Sequence, residues 1–460
     1  MTRGILEPCG PCSLGCRPRN DGASRSQREH RRMAETDPLL KGNDGAQRPA
    51  RKVRFIQGFR ALAIAWIVIT HYTYIGDEFW SRFGLRTPLA LFTVLSGYLT
   101  HQIYSRREDA EGLWEFYWRR LAKLGVMYYS TELLVAVFLG LTLIVNAAGS
   151  ADVLTAAARF CLDVLGLNVW LTPVALFIPE DEATASEGGP FVAFIRNGMP
   201  EADCRSWLYP INGPLWYVQA LLFCWFTYPL LGHYFKTEKG SSRVVTILAM
   251  ILLGVLAVVP ALIPFFVEVS WQYDTFLHNF PVFFLPVFYV GVAASELALQ
   301  ESWDGYCYPD TWMHFKARYS TLAGELLFVL LTFVIFLLVP YPVRLHNVMW
   351  CTAYAIIIFL FSIGDAAENY TIGLRFLLES EAAQVIGDAS FCIFALQEPI
   401  AILFYWLFGK EGIHAQVKVP ESCSSCRDHM RCSPLGLHQS WSVMITILLS
   451  LPTLCEMLWS

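Results

Sequence analysis

Charge is scarce in this chain. Asp, Glu, Lys and Arg make up only 16% of its 460 residues, whereas 55% are hydrophobic. An ordinary soluble domain carries about 25% charge, so this balance argues against a soluble core. Other features are missing too. No internal repeat of the kind built into many transporters is present, which weighs against transport. No apolar leader precedes residue 55, so the first apolar run is expected to span rather than be removed. Cys9, Cys12 and Cys16 have no second cysteine cluster or histidine pair beside them, and no metal is expected there.

What the chain does have is apolar runs of about twenty residues, the length that crosses a bilayer as an α-helix. Such runs fall at 55–75, 87–104, 122–146, 214–235, 244–266, 279–299, 321–340, 347–364, 384–409 and 441–458. The expected fold class is therefore all-α, a polytopic membrane protein of about ten transmembrane helices. The stretch 152–178 holds Arg159, Asp163, Asn168 and Pro173, and reads as interfacial or re-entrant. Basic residues support that count. Arg51, Lys52 and Arg54, then Arg106, Arg107, Arg119, Arg120 and Lys123, then Lys236, Lys239 and Arg243 all fall on one side when both termini are cytosolic. Counting 152–178 as a span would move the 236–243 loop to the far side.

Two domains follow from this reading: a disordered cytosolic tail at 1–50, polar and rich in Arg, Gly and Ser, and a membrane domain at 51–460 with outer loops at 179–212 and 410–440. Within the tail, Glu35-Thr36-Asp37-Pro38-Leu39-Leu40 reads as an acidic dileucine sorting signal, which suggests an endomembrane or plasma-membrane location. Cys204, Cys423, Cys426 and Cys432 fall on the outer, oxidising side, where disulfides can form in a pairing that the sequence leaves open.

The run Arg51 to Asp77 is where chemistry is expected. Arg60 and His71 stand eleven positions apart, which in an α-helix is ~20° around the axis and ~16 Å along it. Ionisable groups in a spanning helix are costly, so they usually face a polar interior and serve function. In the second span, Ser96-Gly97 permits close approach of a neighbouring helix or a ligand. Five cations, Arg106, Arg107, Arg119, Arg120 and Lys123, gather before and at the start of the third. Such a cluster suits a phosphate-bearing ligand arriving from the cytosol.

Taken together, Arg60-x10-His71, the run Phe92-Thr93-Val94-Leu95-Ser96-Gly97-Tyr98-Leu99 and the run Phe116-Tyr117-Trp118-Arg119-Arg120-Leu121-Ala122-Lys123 resemble the integral-membrane acyltransferase 3 family. Gly213-Pro214-Leu215-Trp216-Tyr217-Val218 and Gly387-Asp388-Ala389-Ser390, continuing to Gln397-Glu398-Pro399, resemble its later motifs. The resemblance covers about 54 to 409. It implies a ten-span enzyme that moves an acyl group, often acetyl, from cytosolic acyl-CoA to a hydroxyl of a glycan, lipid or small molecule. Acyl-CoA is then a co-substrate, with no tightly bound cofactor. His71 matches the family's essential histidine and Arg60 its paired arginine. Arg119, Arg120 and Lys123 match its basic third-span start, and Ser96 and Trp216 are candidates for binding the acceptor. Leu221 stands where the bacterial pattern often has Glu, and Gln397 where it usually has His. Two alternatives remain at this point: a polytopic transporter whose pathway Arg60 and His71 line, and a non-catalytic member of the family.

Overall fold

The computed structural model describes residues 54–73, 86–105, 112–145, 150–177, 213–235, 243–266, 276–277, 279–304, 310–338, 350–364 and 373–414. Among them there are helices and no strands. The expected tail at 1–50, the outer loop 179–212, most of the 410–440 loop, the four outer cysteines and the tenth run at 441–458 lie outside the described residues.

In chain order the helices are α1 (Arg54–Thr73), α2 (Arg86–Ser105), α3 (Leu113–Val145), α4 (Ser150–Val164), α5 (Leu215–Leu231), α6 (Arg243–Phe266), α7 (Phe284–Asp304), α8 (Asp310–Leu338), α9 (Cys351–Gly364), α10 (Leu374–Leu378) and α11 (Glu381–His414). Nine of the ten apolar runs thus fall on helices. Several boundaries move, and two of the shifts touch the motifs. α3 starts at Leu113, so the basic motif belongs to the helix, and α11 continues through His414.

Among the described residues, four helices qualify as membrane spans by length and apolarity: the segments 215–235, 243–260, 281–301 and 315–334. A fifth is counted if Trp114–Ala122 and Leu124–Phe138, which meet at 43°, form one span. The all-helical, multi-pass character expected from the sequence therefore stands, at a coarser count than ten. Polar residues explain part of the difference, since α1 carries Gln57, Arg60 and His71 within its 20 residues.

Burial separates the helices. In α7, 67% of the span is buried, but in α6 only 22%. α6 turns Val244, Val245, Leu248, Ile251, Leu252, Val255 and Val259 outward. Apolar side chains exposed all along one face are what a lipid-facing helix presents. α7 is the central post, packed most extensively on α2.

That packing has a visible cause. A Cβ at Gly97 would overlap the Phe288 carbonyl oxygen, and one at Gly291 would overlap that of Val94. Two glycines facing opposite helices let the α2 and α7 backbones touch, as small residues do in membrane bundles. The close approach expected at Ser96-Gly97 is therefore to a neighbouring helix. Gly387 of α11 makes the same kind of contact with the backbone of Gln57 in α1, and Gly58 does so with Leu378 of α10.

The segment 150–177 holds no helix of spanning length. α4 has 15 residues, Gly166 turns the chain with φ +67°, and Asn168–Phe177 is a 3-10 helix packed against α5.

Candidate functional site

α1 carries the expected pair in one unbroken helix, which sets Arg60 and His71 ~16 Å apart along its axis. Positions 60, 64, 67 and 71 form one stripe, since steps of four, three and four residues stay near one face. Ile64 and Ile67 in that stripe are buried among Tyr128, Trp216, Tyr217 and Phe394. Between Arg60 and position 71 the stripe thus faces the bundle. Arg60 is half-buried, donates from Nη1 to Gln57 Oε1 at 3.0 Å, and lies within electrostatic reach of Asp388 and Cys392 on α11. The helix includes position 71, and the His71 side chain lies outside the described residues.

The late motif explains Arg60's setting. Gly387 permits the α1–α11 contact, and Asp388 follows it directly. Further along α11, Gln397 is buried and donates from Nε2 to the Phe394 carbonyl at 3.3 Å. Ser390 is fully buried, and its Oγ has no partner among the described residues.

Around the far half of α1 lies a layer of hydroxyls, amides and carboxylates. The hydroxyls of Thr93 and Tyr217 stand 2.9 Å apart, and each also reaches the Leu89 carbonyl, at 2.8 and 3.2 Å. Tyr128 donates to the Asp163 carbonyl and accepts from Gln219 Nε2 at 2.8 Å. Glu132, Asp163, Asn168 and Thr172 are fully buried in α3, α4 and the 3-10 helix. Asp163 and Asn168 had marked this segment as non-spanning, and they prove to be packed inside it. Glu132 was missed. Its signal was an acid inside an apolar run.

The two candidates for substrate binding each contact neighbouring side chains. Trp216 is buried, with ring contacts to Tyr217 and Phe284 at 5.9 and 5.8 Å. Ser96 Oγ accepts a hydrogen bond from Trp225 Nε1 at 2.9 Å.

The basic start of α3 divides. Arg119 is exposed and pairs with Glu115 one turn earlier on the same helix. Arg120 turns inward. Its Nη2 donates to Thr100 Oγ1 at 3.1 Å, and its guanidinium sits 5.2, 5.6 and 6.0 Å from the ring centres of Trp225, Tyr104 and Phe116. Trp225 thus joins Arg120 to Ser96, two predicted residues from different motifs. The Lys123 side chain lies outside the described residues.

Beside Arg120 is a buried group that the sequence reading did not select. His101 is fully buried in α2, with Nδ1 3.0 Å from the Tyr228 hydroxyl and Nε2 2.8 Å from Glu296 Oε2. No group of three or more His, Cys, Asp or Glu suited to a metal ion occurs among the described residues.

A family model described as an acyltransferase domain, that of the acyltransferase 3 family, matches residues 53–453. The chain belongs to that family. It is a membrane acyltransferase by family and by its apolar helices. No curated protein and no solved structure matches it.

Proposed function

We propose that this acyltransferase takes an acyl group, acetyl in the simplest case, from cytosolic acyl-CoA and delivers it to a hydroxyl of a glycan, lipid or small molecule. The observation that supports the reading is that Arg60 and position 71 share one face of α1, on which Ile64 and Ile67 are buried, in a chain of this family. In this reading the N-terminus is cytosolic, and ten spans leave both ends on that side. Cations at the inner ends of α1 and α3 would attract the donor's phosphates: half-buried Arg60 and Arg120, exposed Arg119, and Lys123 one turn further along α3. The ~16 Å rise from Arg60 to His71 is comparable to an extended pantetheine arm, so phosphates held below place the thioester near the histidine.

His71 then acts as general base. Its neutral imidazole removes the proton from the acceptor hydroxyl, and the oxygen attacks the thioester carbonyl carbon. The C–S bond breaks, and the proton passes from the imidazolium to the departing thiolate, giving an ester and coenzyme A. The polar layer of Thr93, Tyr128, Tyr217 and Gln219 offers hydroxyls and amides where the acceptor would sit.

The test is consumption of labelled acetyl-CoA by the purified full-length protein in detergent. Loss of label from coenzyme A in wild type and none in His71→Ala supports the proposal. Equal turnover by both would overturn it.

A further inference from the structure

Five helices meet around Arg120 through one continuous set of polar and aromatic contacts. The set begins at Glu296 in α7. One carboxylate oxygen accepts from His101 in α2 at 2.8 Å, and the other accepts from Gln300 Nε2 at 3.2 Å. Gln300 lies 3.3 Å from the Thr246 hydroxyl of α6. With Nε2–H spent on the carboxylate, His101 Nδ1 is the acceptor for the Tyr228 hydroxyl of α5. The ring of Tyr228 lies stacked with Phe116 at 5.9 Å, near Tyr104 at 6.3 Å and edge-on to His101. Phe116 and Tyr104, 4.5 Å apart, are two of the three rings that enclose the Arg120 guanidinium.

Thr100, which accepts from Arg120, is the residue before His101. Both Arg120 and Glu296 lie within electrostatic reach of the Tyr228 hydroxyl. A buried carboxylate with both oxygens held, against an imidazole with both nitrogens held, is costly unless every member is satisfied. Helix packing alone does not need it, because Gly97 against the Phe288 backbone and Gly291 against the Val94 backbone already join α2 to α7.

We infer that Glu296, His101 and Tyr228 are positioning residues for Arg120, holding its guanidinium ready for the phosphates of the acyl donor. The inference rests on the donor reading above and assigns the network's role within it. Glu296 fixes the imidazole, the imidazole fixes the phenol, and the phenol ring fixes the aromatic walls that orient Arg120. A guanidinium held against aromatic faces keeps its N–H edge directed, and bidentate phosphate binding depends on that direction.

The test is coenzyme A binding to the purified full-length protein, measured by titration calorimetry for wild type, Glu296→Gln, Tyr228→Phe, Arg120→Lys and the Glu296→Gln/Arg120→Lys double variant. Melting temperatures taken alongside identify any variant that does not fold. Glu296→Gln and Arg120→Lys are each expected to weaken binding about tenfold, and the double variant no further, because residues acting through one another are non-additive. Tyr228→Phe, which deletes a single hydroxyl, is expected to weaken it about threefold and decides the matter if Glu296→Gln does not fold. Wild-type affinity in Glu296→Gln and Tyr228→Phe would overturn the inference while leaving the donor reading intact. So would losses that multiply in the double variant. A wild-type protein that does not bind coenzyme A would overturn the donor reading and the inference with it.

Discussion

The inner layer around Arg120 and the outer layer around the end of α1 are both polar and both buried, but they are built differently. The inner layer closes on itself: Arg120 among three rings and Thr100, His101 between a phenol and a carboxylate, and Glu296 held on both oxygens. The outer layer is mostly neutral hydroxyls and amides, Thr93, Tyr128, Tyr217 and Gln219, with the carboxylates Glu132 and Asp163 buried beside them. A closed set of mutually held hydrogen bonds and ring contacts keeps its shape. A layer of neutral donors and acceptors can exchange partners with a hydroxyl-bearing ligand at small cost, because each bond is worth only ~1 kcal/mol net. Under the proposed function this difference would divide the work, with the donor held at the inner layer and acyl transfer carried out at the outer.

The comparison breaks most completely at His71. Replacing it by Ala is expected to lower acetyl-CoA turnover by about 10²–10⁴-fold, the usual contribution of a general base, with the melting temperature unchanged. Rapid-quench assays of label transfer check this. Next in size is the α2–α7 contact on which the inner layer is built. Gly291→Val would drive its side chain into the Val94 carbonyl and the Tyr98 amide, costing about 1–3 kcal/mol or more and lowering the melting temperature along with coenzyme A affinity.

Trp225→Phe keeps the ring near Arg120 but removes the donor to Ser96, so a loss of ~1 kcal/mol in thermal stability is expected. Smallest is the exposed pair at the edge of the inner layer. Arg119→Ala should change stability by less than about 1 kcal/mol, since a solvent-exposed pair one turn apart is worth little. A loss as large as that of Gly291→Val would mean that the edge, and not the buried network, holds this region together.

Local patterns carried much of this into the sequence. Arg60 and His71 lie within one helix because their separation and the apolar residues between them are local, and helical periodicity converts spacing into a shared face. Arg159, Asp163, Asn168 and Pro173 marked 152–178 as interfacial or re-entrant, because polar residues within an apolar run are also a local signal. The Ser96-Gly97 step announced a close approach, but its partner, the Phe288 backbone, lies far along the chain in α7, and nothing local connects the two. His101 and Glu296 are separated by 195 positions. Each alone reads as one polar residue in an apolar run, and only packing shows them as a pair. The opposite fates of Arg119 and Arg120 were likewise hidden. Adjacent residues point ~100° apart on a helix, and which one turns inward is set by Thr100, Tyr104 and Trp225 on other helices.

The central claim is that donor binding and acyl transfer reside in separate layers. It is tested most directly by titrating coenzyme A into His71→Ala and Arg120→Lys and measuring acetyl-CoA turnover on the same preparations. The expected result is a His71→Ala protein that binds coenzyme A as wild type does and turns acetyl-CoA over about 10²–10⁴-fold more slowly, beside an Arg120→Lys protein with affinity reduced about tenfold that still reacts at saturating donor. Loss of binding in His71→Ala, or wild-type binding in Arg120→Lys, would contradict it.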